Sequence, residues 1–381
     1  MKSNILEVLQ IPNISTNRRY WVIRTNGGRY YQDFVLHQYI SIAWDYVSIS
    51  ILYNQNEDAI KRLIEAYEHD DSNIQDDEDD EEDTTPKGKI TSIYNKLHRF
   101  VCEIEKNDIV LIPSKDSNYI TIAEVIGNVY EDSNYVETYL TNTPNTELTL
   151  CPYHKRRKIR TLKTIEKRHM DIYLSKGFNS QHALSNMDEY APFIDRSIWG
   201  IYSKGNELHT TIHAGHPNGL TLKELVKLSS TLDATASALA AQCDIPFDSS
   251  EIEVKLNIHS PGLIEFISYA AGGTMVLSLL AFSINNLING GTFNMTFKRD
   301  GKTKDINFSV SSESKGIRGN DQKDKQIELE SKSELLQLVK DLDIKTPDIV
   351  SAIINGDKIT PDMISEAQET KNSPIKPEDS M

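Results

Sequence analysis

The sequence predicts an α+β fold in two domains. A β-rich, barrel-like domain with short helices is expected over residues 1–204. An α+β domain is expected over 205–365, with one long hydrophobic helix at about 264–289, and a polar tail over 366–381. Three observations predict this. Short, alternating, β-prone segments fill the first half and are separated by turn residues and brief helical stretches, which suits a small curved sheet better than a bundle. The second half opens with a capped helical pattern and a clean alternating strand. It then runs from Ile267 to Ile288 without a charge.

Taken in order, Tyr20–Arg24 alternates and reads as a strand. Asn26, Gly27 and Gly28 follow as a turn, because these residues tolerate positive φ. Tyr30–Leu36 reads as a short helix and Tyr39–Trp44 as a second strand closed by Trp44-Asp45. Helices are expected at Glu57–Tyr67 and Ile90–Glu105, where Ile93, Leu97 and Val101 recur at helical spacing. Two strands then flank the turn Lys115–Asn118. The first is Ile109–Ile112 and the second carries Ile120, Ile122 and Val125. The last strand of this half, Lys158–Ile165, alternates apolar Ile159, Leu162 and Ile165 with basic residues.

The charge balance is acidic but uneven. The formal charge is −15, of which residues 76–83, DDEDDEED, supply eight carboxylates. Such a block repels itself and reads as a solvated, disordered loop over about 70–88. Without it the chain is near −7, so the total does not exclude a nucleic-acid partner. The opposite charge is concentrated in His154–Arg168, HKRRKIRTLKTIEKR. Lys155, Arg156, Arg157, Lys158, Arg160 and Lys163 are the candidate phosphate contacts there, since backbone phosphates are the natural partner of such a cluster. A solvated strand face, or an internal partner for the acidic loop, is the competing reading.

Cys102, Cys151 and Cys243 are far apart and form no CxxC, which argues against a disulfide framework or a cysteine zinc site. Together with an N-terminus lacking the apolar core of a signal peptide, they point to the cytoplasm. No metal and no cofactor is expected.

The run W-V-I-R…G-G-x-Y-Y-x-D-F…I-S-I-A-W-D within Tyr20–Asp45 resembles the start of an EVE-like domain of the PUA superfamily. F-V-x-E-I-x-x-N-D-I-V-L-I-P-S (Phe100–Ser114), I-A-E-V-I-G (Ile122–Gly127) and the basic strand from His154 to Leu162 are similar to the family's later phrases. The resemblance spans about residues 18–200, with Asn107-Asp108 where the family often has Gly-Asp and with the acidic insertion as a departure. It implies a pseudobarrel with a concave, aromatic-lined pocket that reads a modified or flipped base, or another planar nucleotide-like ligand, by stacking and edge hydrogen bonds. On that implication Trp21, Tyr30, Tyr31, Phe34 and Trp44 are candidate ligand-binding walls, and Arg24 is a candidate holder of a phosphate or base edge. Equally, Trp21 and Trp44 read as core aromatics.

In the second half, His209, His213 and His216 are the nearest approach to a metal motif, without accompanying cysteines or well-spaced carboxylates. Thr221 and Glu224 stand at capping-box spacing before a helix to about Gln242. SSEIEVKLNIHSPG (residues 249–262) follows as a strand with Ile252, Val254, Leu256 and Ile258 on one face. Within it, Glu253 and Lys255 mimic the E-x-K of restriction nucleases, whose chemistry also needs an upstream aspartate sharing a metal, whereas Asp233 lies in the helix and Asp248 is only five residues away. The charge-free run is long enough to span a bilayer, yet Gly272, Gly273, Asn285 and Asn286 dilute it. A buried helix across a small sheet is the alternative. A hairpin at Thr292–Phe297 and Asp305–Ser311, turning at Asp300-Gly301, would extend that sheet. Helices at Lys325–Leu342 and Thr346–Ile354 complete the domain.

The leading expectation is therefore a bacterial defence-type sensor. Its N-terminal domain would bind a modified or flipped base or a nucleotide-like ligand and signal to a C-terminal effector or assembly module. The alternatives are an inner-membrane effector that inserts helix 264–288 and a metal-dependent nuclease using Glu253 and Lys255. Nucleic acid, a second copy of the chain and a membrane are the partners to test. No P-loop, G-x-S-x-G, HExxH or CxxC is present, and no catalytic residue is assigned.

Overall fold

The turn at Asn26–Gly28 shows how local chemistry sets this fold. Asn26, Gly27 and Gly28 all take positive φ, at 52°, 59° and 89°. A Cβ on Gly28 would lie 2.3 Å from the Lys115 backbone nitrogen, so the close approach of two loops requires glycine there. The computed structural model describes residues 11–68, 86–178, 182–214, 220–257, 262–289, 292–299, 306–313, 332–346 and 350. The acidic run, His216, the Asp300-Gly301 turn, the helix expected from Thr346 (apart from residues 346 and 350) and the tail lie outside the described residues.

The chain begins with β1 (Asn13–Ile14), β2 (Tyr20–Ile23), α1 (Tyr31–His37) and β3 (Tyr39–Ile42). Helices α2 (Ile49–Asn54), α3 (Glu57–Glu68) and α4 (Pro86–His98) follow, and α4 ends in a π-helical turn at Arg99–Glu103. Then come β4 (Ile109–Pro113), β5 (Tyr119–Glu131), α5 (Tyr135–Asn142), β6 (Lys155–Glu166), α6 (Ile172–Lys176), β7 (Leu184–Asn186) and α7 (Ala191–Ile198). The strands between Asn17 and Ile198 form one six-stranded sheet in the order β3-β6-β5-β4-β2-β7, curled into a half-barrel. Only β2–β4 is parallel. Register shifts in the β5–β6 pair, at Ile122/Ala123 and Val125/Val129, help it to bend. Its core includes Trp21, Phe34, Ile40, Phe100, Val110 and Ile159. Each large apolar side chain so buried contributes about 1.5–3 kcal/mol.

The second unit contains β8 (Ile201–Lys204), β9 (Glu207–Ala214), α8 (Leu222–Gln242), β10 (Ile252–Asn257), β11 (Gly262–Ser268), α9 (Ala271–Asn289), β12 (Thr292–Arg299), β13 (Ile306–Glu313), α10 (Lys332–Asp341) and β14 (Ile344–Lys345). Its main sheet runs β1-β8-β9-β11-β10, with β14 also on β9, while β12 and β13 pair with each other. The N-terminal segment was expected in the reader domain, but it joins this unit. β1 runs parallel to β8, the Ser203 N–H donates to the Pro12 carbonyl at 2.8 Å, and Ile11 and Ile14 are buried. The capping box at Thr221 and Glu224 forms as the sequence predicts.

The long hydrophobic helix needs correction. Residues 262–268 are a strand, paired with β9 and β10, and the helix starts only at Ala271. No helix among the described residues is long and apolar enough to cross a membrane. Apolar side chains of α9 such as Val276, Leu279, Leu280 and Phe282 are instead buried in the core with Leu239, Ile264 and Leu335. The two glycines that dilute the hydropathy serve packing. A Cβ at Gly272 would lie 1.8 Å from the Pro246 carbonyl oxygen, and one at Gly273 would lie 2.3 Å from Ser268 Oγ.

Candidate functional site

The aromatic residues expected to line a pocket build the core of the first unit instead. Trp21 is fully buried, and its indole N–H donates to Asp108 at 3.0 Å. Asp108 also accepts the backbone N–H groups of Arg19 and Glu105, which locks this corner. Phe34 is buried against Tyr39, with ring centroids 5.1 Å apart, and Tyr30 is buried edge-on to Tyr153 at 5.5 Å. Trp44 is buried as well. Large aromatic rings are the most efficient way to fill a small core, and burial leaves these four no face for a ligand. Tyr31 is half-buried, and its hydroxyl meets Thr121 Oγ1 at 2.7 Å. Burial raises that phenol's pKa. Arg24 is also half-buried and donates from Nη2 to the Phe178 carbonyl at 2.8 Å.

The basic strand divides into two sets. Lys155, Arg156 and Arg157 are buried in succession. Successive strand residues face opposite sides, so this part of β6 is covered on both faces. The Lys155 ammonium donates to the Trp44 carbonyl at 2.9 Å and to Asp45 at 3.0 Å. Burial lowers its pKa, and the Asp45 carboxylate opposes that shift. Arg156 donates to the carbonyls of Tyr153 and Cys151 and lies 3.7 Å over the Tyr135 ring and 4.2 Å over Tyr39. Arg157 donates to the Phe100 and Val101 carbonyls, and burial lowers its pKa. These three cations are structural bolts, a correction to the reading of them as phosphate contacts.

Lys158 and Arg160 are exposed on β6. Arg160 pairs with Glu124, which Arg18 also reaches. Lys163 is half-buried and donates to the Ser197 carbonyl at 2.8 Å.

Beside Arg156 lies a polar hub with no clear signal in the sequence. Asp33 is fully buried and accepts from the Tyr39 and Tyr135 hydroxyls and from the Cys151 backbone N–H, with His37 Nδ1 at 2.7 Å. Burial raises both phenols' pKa values, and the bonds to Asp33 add to the rise. Burial also pushes the Cys151 thiol up to about 12, so it is inert as a nucleophile near neutral pH.

A concave feature of this unit lies elsewhere. A cleft of about 630 Å³ is lined by Lys87, Gly88, Thr91, Ser92, Asn95, Lys96 and Arg99 from α4 and its π turn, with His182 and Leu184 opposite. Three cations, a histidine, two hydroxyls and an amide meet there, and no carboxylate is among its described lining residues. The positions recur three and four apart, which places them on one side of the helix, away from the buried face of Ile90, Ile93 and Leu97. That polar face was the missed signal, since Pro86–His98 contains no acidic residue. Lysine and arginine with hydroxyl and amide donors suit phosphate or carboxylate oxygens.

Trp44 lies behind the cleft's Lys96, whose ammonium is 5.5 Å from its ring. Trp44 itself is held at φ 61°, a strained value for a bulky residue, with its carbonyl accepting from Lys155 and the Val47 N–H.

In the second unit, His209, Glu253 and Asp248 are engaged locally. His209 is buried, stacked on Tyr202 with centroids 4.5 Å apart, and lies 2.9 Å from Glu265 and 3.1 Å from Glu207. His213 is exposed. Glu253 and Lys255 pair with each other at 3.7 Å, and Asp248 caps the 3₁₀ turn at Ser249–Glu251. Among the described residues no three His, Cys, Asp or Glu side chains converge as a metal set.

No protein-family model matches the chain, and no curated protein matches it. Among solved structures, the chain is similar to the YTH domain of the Zygosaccharomyces rouxii MRB1 protein in complex with N6-methyladenosine RNA. Identity is 16%, the match covers 43% of this chain and 68% of that one, and the TM-score is 0.20, too low a similarity to establish the fold.

Proposed function

We propose that the unit spanning Asn17–Ile198 is a binding domain for a phosphate-bearing, nucleotide-like ligand, free or within nucleic acid. The observation that carries this reading is the cleft with Lys87, Lys96, Arg99 and His182 around one concavity and no carboxylate among its described lining residues. Lys87 and Arg99 hold the anion, Thr91, Ser92 and Asn95 supply directional hydrogen bonds, and Lys96, buried against the π face of Trp44, adds positive charge behind them. Lys158 and Arg160 on β6 are the remaining candidates for contacts to a longer backbone. In this reading, selectivity for a modified or flipped base comes from groups at the cleft rim. A role as a defence sensor that signals to the second unit rests on the EVE-like resemblance alone.

The test is fluorescence anisotropy of labelled oligonucleotides, with and without base modifications, on the full chain at two salt concentrations. Binding that weakens with salt and weakens further in Arg99→Gln supports the cleft. Preference for a modified base extends the reading to base recognition. If neither oligonucleotides nor nucleotides bind, the proposal fails.

A further inference from the structure

Strand β10 lies at the end of the second unit's main sheet, and among the described residues no strand pairs with its outer edge. Unpaired edges are normally guarded, because their free N–H and C=O groups invite another strand. This edge carries an unusual pattern. Val254 and Leu256 are paired in register with Phe266 and Ile264 of β11. Phe266 and Ile264 are buried in the core, whereas Val254 and Leu256 are 48% and 43% exposed. The apolar face therefore continues one strand beyond its cover. On the opposite face of β10, Glu253 and Lys255 stand two residues apart with side chains 45% and 46% exposed. The Tyr269 hydroxyl donates to Glu253 at 2.5 Å and helps to orient it.

We infer that β10 is a self-pairing edge, and that a second copy of this chain docks on it as an antiparallel strand across a two-fold axis at Val254. Charge complementarity selects the copy and the register. With the axis at Val254, each Glu253 faces the other copy's Lys255, and each Ile252 faces the other copy's Leu256. A shift that puts the axis at Glu253 opposes two carboxylates, and one that puts it at Lys255 opposes two ammonium groups. Both shifts are disfavoured, because like charges directly opposite on a strand pair repel. The two-fold arrangement thus joins the sheets of two copies, makes two Glu–Lys pairs and covers the exposed apolar positions in one step. The interface is small, so the dimer is concentration-dependent.

Sedimentation velocity of the full-length protein over a range of concentrations tests this. The wild-type chain is expected to shift from monomer toward dimer as concentration rises. Glu253→Lys and Lys255→Glu should each weaken association by roughly tenfold, because the two-fold doubles every repulsion. The double variant Glu253→Lys/Lys255→Glu restores both pairs and should recover association, which a folding defect would not. Val254→Cys should form a disulfide-linked dimer under oxidation that is absent from the wild type. A wild-type chain that stays monomeric at all concentrations would overturn the inference. So would a dimer indifferent to the single reversals, or a folded double variant that fails to recover.

Discussion

The Lys96 ammonium lies 5.5 Å from the ring of Trp44, so the cleft's most buried cation rests on an aromatic side chain that belongs to the core. This contact joins the binding surface to the scaffold. It places positive charge where little solvent can screen it, which strengthens attraction for an anion. The same Trp44 offers its carbonyl to Lys155, so one residue connects the cleft to the buried start of β6.

Arg99 is the cleft position whose loss should act on binding with the least effect on the fold, since it is only half-buried at the end of α4. Arg99→Gln should weaken oligonucleotide binding by about tenfold and reduce the salt slope by about one counterion. Anisotropy titrations at several salt concentrations measure both. Thermal unfolding of the variant should stay close to wild type.

Asp45 and Lys155 form a pair whose lysine side chain is only 1% exposed. Asp45→Ala leaves that cation buried without its counter-charge and removes the acceptor of the His154 backbone N–H. The expected loss is about 3 kcal/mol, near the lower end for breaking a buried pair because Asp45 is partly solvated. Urea denaturation would show it as a lowered midpoint at unchanged slope.

The basic strand should respond in two distinct ways. Lys158→Ala with Arg160→Ala should leave stability within about 0.5 kcal/mol, as expected for exposed positions. Arg156→Met removes hydrogen bonds to the Tyr153 and Cys151 carbonyls and a cation held over Tyr39 and Tyr135, and should destabilise by about 2 kcal/mol or more. Chemical denaturation of the two variants side by side measures the contrast.

The Cys151 thiol is raised from its usual value to about 12 by burial. Its folded-state pKa therefore lies above its unfolded one. The associated stability is fully present below about pH 9 and is lost as pH rises from about 9 toward 12. Cys151→Ala should flatten the fall in stability across that window, read by denaturant melts at successive pH values. At pH 8 the native thiol should react with a thiol reagent only as fast as the domain opens.

Gly28→Ala tests the turn that opens the first unit. It places a Cβ at φ 89° and against the Lys115 backbone. The expected cost is at least about 1 kcal/mol, visible as a drop in melting temperature, whereas Gly27→Ala meets nothing within 4 Å and carries only the cost of its positive φ.

The sequence by itself determined the elements whose causes are local. Alternation placed β2 and β10, a short apolar run placed β4, and the Thr221–Glu224 spacing placed the cap of α8. The Asn26-Gly27-Gly28 turn was legible because only such residues take positive φ easily. The tertiary structure alone decided which side chains face a ligand. Trp21 and Arg156 look like binding residues in one dimension, yet both are buried, because strands and helices distant in sequence cover them. Lys96 and Arg99 look like an ordinary solvated helix face, yet they line the cleft, because His182 and Leu184 arrive opposite from more than eighty residues away. The same held for Leu263–Ser268, which an apolar run assigns to a helix and pairing with β9 makes a strand. Periodicity reports which face of an element is apolar. Only the assembled fold determines what lies against that face, and with it whether a charge or an aromatic ring is spent on the scaffold or left for a partner.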